Sequence, residues 1–152
     1  MRNETNDKAE VLGFLESAGT AALESRRLRR MMDGLGEQQG QLRLQKGAAV
    51  RTMARLLGEE QERTLAAAKK ELESYRKVEA FLNRIPDGTH RTILRRRYLD
   101  VGLNWTEIRD RLAEDGLYYS ERHIIRLHTQ AVEAARMLWE REREEGESEK
   151  RR

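Results

Sequence analysis

Apolar residues recur along this chain at helical rather than strand spacing. Val11, Leu15, Ala18, Ala22, Leu28, Met32 and Leu35 fall near every third or fourth position, the period of one face of an α-helix. They predict a helix from about Lys8 to Gly34 or Gly36. Gly13 and Gly19 weaken it, each by about 1 kcal/mol against alanine, and its thin stripe needs a partner to stay folded. Residues 1–7 are polar and are expected to fray. Gly36 to Gly47, rich in glycine and glutamine, reads as a connecting loop. Met53, Leu57, Thr64, Ala68, Leu72, Tyr75, Val78, Leu82 and Ile85 then mark a second helix from about Ala49 to Ile85, roughly 50 Å long at 1.5 Å per residue. Charged residues flank this seam as in a coiled coil. The two helices suit an antiparallel hairpin and equally suit pairing with a second copy. The thinness of the seam predicts self-association, as a homodimer through the N-terminal helices.

Ile85-Pro86-Asp87-Gly88 ends the second helix, because proline removes a backbone donor and biases its predecessor out of helix. The break divides the chain into a helical handle, residues 1–85, a three-helix unit, residues 86–139, and a charged tail, residues 140–152. In the unit, Asp87 can cap a helix bearing Ile93, Leu94 and Tyr98. Asn104 can cap a second with Trp105, Ile108 and Leu112 on one stripe, and Gly116 can stop it, with Leu117 placed to fill the gap to the next helix. Ser120 can cap the last helix. There Ile124, Leu127, Ala131, Ala135 and Leu138 share one face, and Arg122, Arg126, Thr129 and Arg136 fall near the other, with Ile125 at its edge. After Trp139 the helix is expected to run on for a turn or two and then give way to a disordered tail. The fold class is all-α: a long N-terminal helical hairpin or coiled coil, then a C-terminal helix-turn-helix unit.

Composition agrees with long two-faced helices: of 152 residues, 38% are hydrophobic and 38% charged, and much helical surface stays wet. One proline and 5% aromatic residues argue against a sheet-rich fold. The net charge of +3 and pI near 9.4 suit a nucleic-acid partner without demanding one. No cysteine is present, so no disulfide framework or thiolate zinc site is available. Without a bilayer-length apolar run or a hydrophobic signal segment, a soluble cytoplasmic protein with no membrane partner is expected.

No glycine-rich phosphate loop or nucleophile–base set stands out, so neither an enzyme nor a cofactor is expected. His90, His123 and His128 lack metal-ligand spacing, and His128 beside the core stripe is expected to be packed and hydrogen-bonded. Tyr75 and Phe81 read as packing residues. Arg26, Arg27, Arg29 and Arg30 form a dense basic cluster, first a solvated face and second a contact for phosphates or an acidic surface.

The chemistry gathers on the last helix. A recognition helix in the major groove needs its first turns to reach base edges while its back packs on the module. Arg122 and Arg126, with Glu121, His123, Ile125 and Thr129, are the candidate base-contacting residues. Arg96, Arg97 and Arg109 are the candidate phosphate-contacting residues, which position a protein on the duplex without specifying sequence. An arginine-bearing amphipathic helix alone is common; the two capped helices before it make the arrangement informative.

Arg95-Arg96-Arg97-Tyr98, Trp105-Thr106-Glu107-Ile108, Tyr119-Ser120, Arg126-Leu127-His128 and Ala131-Val132 together resemble the phage-encoded ArpU- and RinA-like late transcriptional regulators. The C-terminal half of that family is similar to region 4 of sigma factors, where a helix-turn-helix reads a promoter element. The resemblance covers roughly the last third of the chain and rests on the order and spacing of the pieces. It implies a sequence-specific regulator of phage or prophage origin, with double-stranded DNA as partner and RNA polymerase as a second. The family's turn between the two helices is tight, whereas Ala113 to Tyr119 separates Leu112 from Ser120 here; a longer first helix and an extended loop both accommodate that. Two rival readings share these elements: a DNA-packaging protein of the small-terminase kind, and a protein-interaction adaptor that keeps the fold without binding DNA.

Overall fold

A computed structural model of the chain describes residues 4–100 and 102–151. The described residues form five α-helices: α1, Glu4–Leu42; α2, Ala48–Asn83; α3, Gly88–Leu94, continued by a π-helical turn at Arg95–Leu99; α4, Trp105–Glu114; and α5, Glu121–Lys150. No strand occurs among them. The fold is all-α with a long N-terminal helical hairpin.

Three stretches depart from the expected pattern. Of residues 1–7, the first three lie outside the described residues, and Glu4 to Asp7 form the first turn of α1 rather than a frayed end. Asp7 is buried, and its carboxylate accepts from Arg143 Nη1 at 2.8 Å. Gly36 to Gly47 is mostly helix, not loop, since α1 continues to Leu42. A glycine costs a helix only about 1 kcal/mol, and no capping side chain intervenes to stop this one. The chain turns instead at Gly47, whose φ of 134° suits a residue without a Cβ. Residues 140–150 continue α5 in place of a disordered tail; Arg152 lies outside the described residues. Arg84 pairs with Glu142, and Arg143 with Asp7, so the charged stretch is tied down by specific partners.

The chain has two compact units, and their division does not follow Pro86. One unit comprises residues 20–74; the other joins residues 1–19 to residues 75–152. In the first, Ala21, Leu28 and Thr64 are buried. The Thr64 hydroxyl donates to the Glu60 carbonyl at 2.8 Å, which lets a polar residue occupy the seam. Met53 and Leu72, expected on that seam, are 55% and 43% exposed.

The second unit holds two cores. The larger combines Val11, Leu15 and Ala18 with Val78, Phe81, Leu82, Ile85, Leu94, Tyr98, Leu99, Ala131, Val132, Ala135 and Leu138. Phe14, Phe81 and Trp139 stack against one another with ring centroids 4.8–5.8 Å apart. Each such pair contributes about 0.5–1.5 kcal/mol beyond its burial. The start of α1 is therefore structural material of the C-terminal unit. Pro86 breaks α2 from α3 inside this unit, and Asp87 caps α3 by accepting from the His90 N–H at 2.9 Å.

The smaller core is the helix-turn-helix itself: Ile93, Ile108, Leu112 and Ile124, with Leu103, Trp105, Leu117, Tyr119 and Leu127 packed against them. Asn104 caps α4 by accepting from the Glu107 N–H at 2.8 Å. At its other end the Gly116 N–H donates to Ala113 and the Leu117 N–H to Leu112, with Gly116 at φ 84°. That is a Schellman closure, with Leu117 and Leu112 as its apolar contact. The longer connection is thus accounted for twice over: α4 runs on to Glu114, and Asp115–Ser120 follows as a loop anchored at Leu117 and Tyr119.

Candidate nucleic-acid interface

The first turn of α5 is fixed from several sides. Ser120 accepts from the His123 N–H at 3.2 Å, and Ile124 anchors the underside in the smaller core. Glu121 accepts from the Thr106 hydroxyl at 2.6 Å and lies 3.4 Å from Arg109 Nη1. His123 meets Tyr119 edge-on, centroids 5.0 Å apart. Glu121 and His123 are half-buried and engaged with the protein.

The other four candidate base-contacting residues, Arg122, Ile125, Arg126 and Thr129, are exposed together over the first two and a half turns. Thr129 spends its hydroxyl proton on the Ile125 carbonyl at 3.2 Å and presents a methyl and lone pairs. Arg122 and Arg126 have no ion-pair or hydrogen-bond partner among the described residues. They stand one helical turn apart, on the same side.

The arginines named for phosphate contact are occupied. Arg96 forms a two-pronged pair with Asp115, at 2.8 and 2.9 Å, and a further bond to Asp100 at 3.0 Å. Its hydrogen bonds to Asp115 and then Asp100 push its pKa up, and the same guanidinium holds the Asp115 carboxyl below its usual range. Arg97 lies over the Trp105 ring, 4.5 Å from its centroid, and donates to the Leu103 carbonyl at 3.3 Å. Arg109 lies between Asp110 and Glu121. Each joins α4 or the π-turn to a neighbour.

Arg136, expected near the charged face of α5, is buried instead. Glu133 and Glu140 bracket it on its own helix and, with Glu133 foremost, raise its pKa. Its stem takes an inward position that a count of residue types assigns to solvent. His128 is packed and hydrogen-bonded: Nε2 lies 2.9 Å from the Tyr98 hydroxyl, and its ring meets Trp105 edge-on at 5.2 Å. Burial, then the charges of Arg97 and Lys8, push its pKa down to about 4, so it is neutral near pH 7.

One surface residue escaped the sequence reading. Tyr118 is 80% exposed, in the loop that leads into Ser120. Leu117 and Tyr119 on either side point into the smaller core. The alternation was the available signal, because an extended segment with two inward neighbours sends the middle side chain out.

Comparison with protein-family models, with curated proteins and with solved structures found no match to this chain.

Proposed function

We propose that the protein is a sequence-specific DNA-binding transcriptional regulator whose α5 enters the major groove with its first turns. Arg122 and Arg126 read guanine edges, the commonest specific side-chain contact to DNA, and Ile125 offers an apolar contact to a thymine methyl group. Glu121 and His123 position the helix rather than read bases. Arg96, Arg97 and Arg109 hold the module together.

One contrast supports this reading above the rest. Arg96, Arg97, Arg109 and Arg136 each have partners within the protein. Arg122 and Arg126, on a helix end capped by Ser120 and anchored by Ile124, have none among the described residues. Their frame holds the two guanidinium groups one turn apart on one exposed face, as base reading requires. The resemblance to phage late regulators adds RNA polymerase as a second partner in the same proposal.

The test is binding to labelled duplex over a series of salt concentrations. Neutralised phosphates release counterions, so affinity falls steeply with salt, by a log–log slope near −0.9 per phosphate contacted. Arg122→Ala with Arg126→Ala is expected to remove the preference for a selected duplex over random duplex while helicity is kept. Unchanged selectivity in that variant rejects the assignment.

A further inference from the structure

A second surface lies within residues 20–74 and is independent of the DNA-reading proposal. Leu65 and Leu72 on α2 are 48% and 43% exposed. Seven residues separate them, which returns a helix to nearly the same face with about 20° of drift. Seven residues before Leu65 stands Gly58, where an added Cβ would meet nothing within 4 Å. Gln61 and Ala68, half-buried, fill the alternate positions. Gly58, Gln61, Leu65, Ala68 and Leu72 thus form a heptad seam of their own. Thr64, which is buried, lies about 100° round the helix from Leu65.

Charge decides what covers this seam. Glu62 and Lys69 are exposed, and each follows the second seam position of its heptad, Gln61 or Ala68. Neither has an ion-pair partner among the described residues. In an antiparallel pair of helices such positions face their counterparts on the other chain, where charges set partner and orientation. A two-fold axis near Leu65 and Ala66 sets Glu62 of each copy against Lys69 of the other, so one seam carries two attractive pairs. A parallel pairing sets the same residues against Leu57 and Thr64 instead, with no charge to answer them. The antiparallel axis also opposes Arg55 to Arg76 at the ends, where Glu59 and Glu73 stand beside each on its own helix.

We infer that this face of α2 is the contact with a second copy of the chain, an antiparallel two-fold dimer through Gly58, Leu65 and Leu72, with its register set by Glu62 and Lys69. The occupant is the chain itself because the seam is self-complementary under one rotation, as an isologous interface requires.

Sedimentation equilibrium of the full chain tests it, with far-UV circular dichroism on each variant. The wild type is expected to dimerise reversibly. Glu62→Lys and Lys69→Glu alone each set like charges opposite one another twice and are expected to weaken the dimer about tenfold. The combined swap re-forms both pairs and is expected to restore it. A wild type that stays monomeric overturns the inference, as does an assembly larger than two. So does a dimer that both single variants leave unchanged, or a swap that fails to recover while helicity is intact.

Discussion

The Thr106 hydroxyl donates to Glu121 across 2.6 Å, and this bond ties the first turn of α4 to the first turn of α5. Glu121 is thereby a strut of the helix-turn-helix. Thr106→Val keeps the shape of the side chain and removes the donor. The expected cost is about 0.5–1 kcal/mol of stability, read as a shift in urea midpoint. A larger proportional loss in affinity for a specific duplex is also expected, because the pose of α5 is loosened.

His128 makes stability depend on pH. Its folded pKa, near 4, lies below the ordinary histidine value of about 6.5, so the unfolded chain binds the proton more readily. The contribution is fully present above about pH 6.5 and is lost as pH falls toward 4. Allowing for partial exposure, the loss is about 2 kcal/mol over that window. His128→Gln is expected to flatten the slope between pH 6.5 and 5, above the range where carboxylates titrate. Urea melts at several pH values, with an NMR titration of the imidazole, check both the slope and its source.

Asp7 on α1 and Arg143 on α5 pair across 2.8 Å. Arg143→Ala leaves a carboxylate, whose side chain is 3% exposed, without this partner. Breaking a buried pair costs several kcal/mol, less where one partner reaches solvent, so about 2 kcal/mol is expected. Removal of residues 140–152 is expected to lower the melting temperature by at least as much, since Glu142 and Arg143 go together. A tail that contributed nothing to the fold would leave both melts unchanged.

Tyr118, 80% exposed beside the start of α5, makes few contacts to lose. Tyr118→Ala is expected to leave stability within about 0.5 kcal/mol of the wild type. Under the proposed DNA-reading function the Tyr118 phenol stands beside the phosphate backbone, and the same substitution is expected to weaken binding. Fluorescence anisotropy against a selected duplex, paired with a thermal melt, separates the two effects.

The local devices were legible because their chemistry is local. Asp87, Asn104, Ser120 and Gly116 act through hydrogen bonds within three or four residues, and each was recognisable from residue type and the apolar stripe beside it. The stripes of α4 and α5 were readable for the same reason. What stayed hidden depends on distant partners. Val11, Leu15 and Ala18 form the same stripe whether they cover α2 alone or, as found, join a core that also holds Ala131 and Leu138. The acidic and basic run after Trp139 looks solvated until Arg84 and Asp7 are placed beside it. Arg96, Arg97 and Arg109 were legible as cations but not as occupied ones, since Asp115, Leu103, Trp105 and Glu121 reach them only in the folded unit.

On the function proposed above, α5 reads DNA through Arg122 and Arg126. Selection of bound fragments from sheared genomic DNA, run in parallel with the wild type and the Arg122→Ala, Arg126→Ala variant near physiological salt, tests it most directly. The wild type is expected to enrich one short motif containing guanines, and the variant to recover fragments without that motif. The same motif enriched by both proteins, or flat recovery with the wild type, would contradict it.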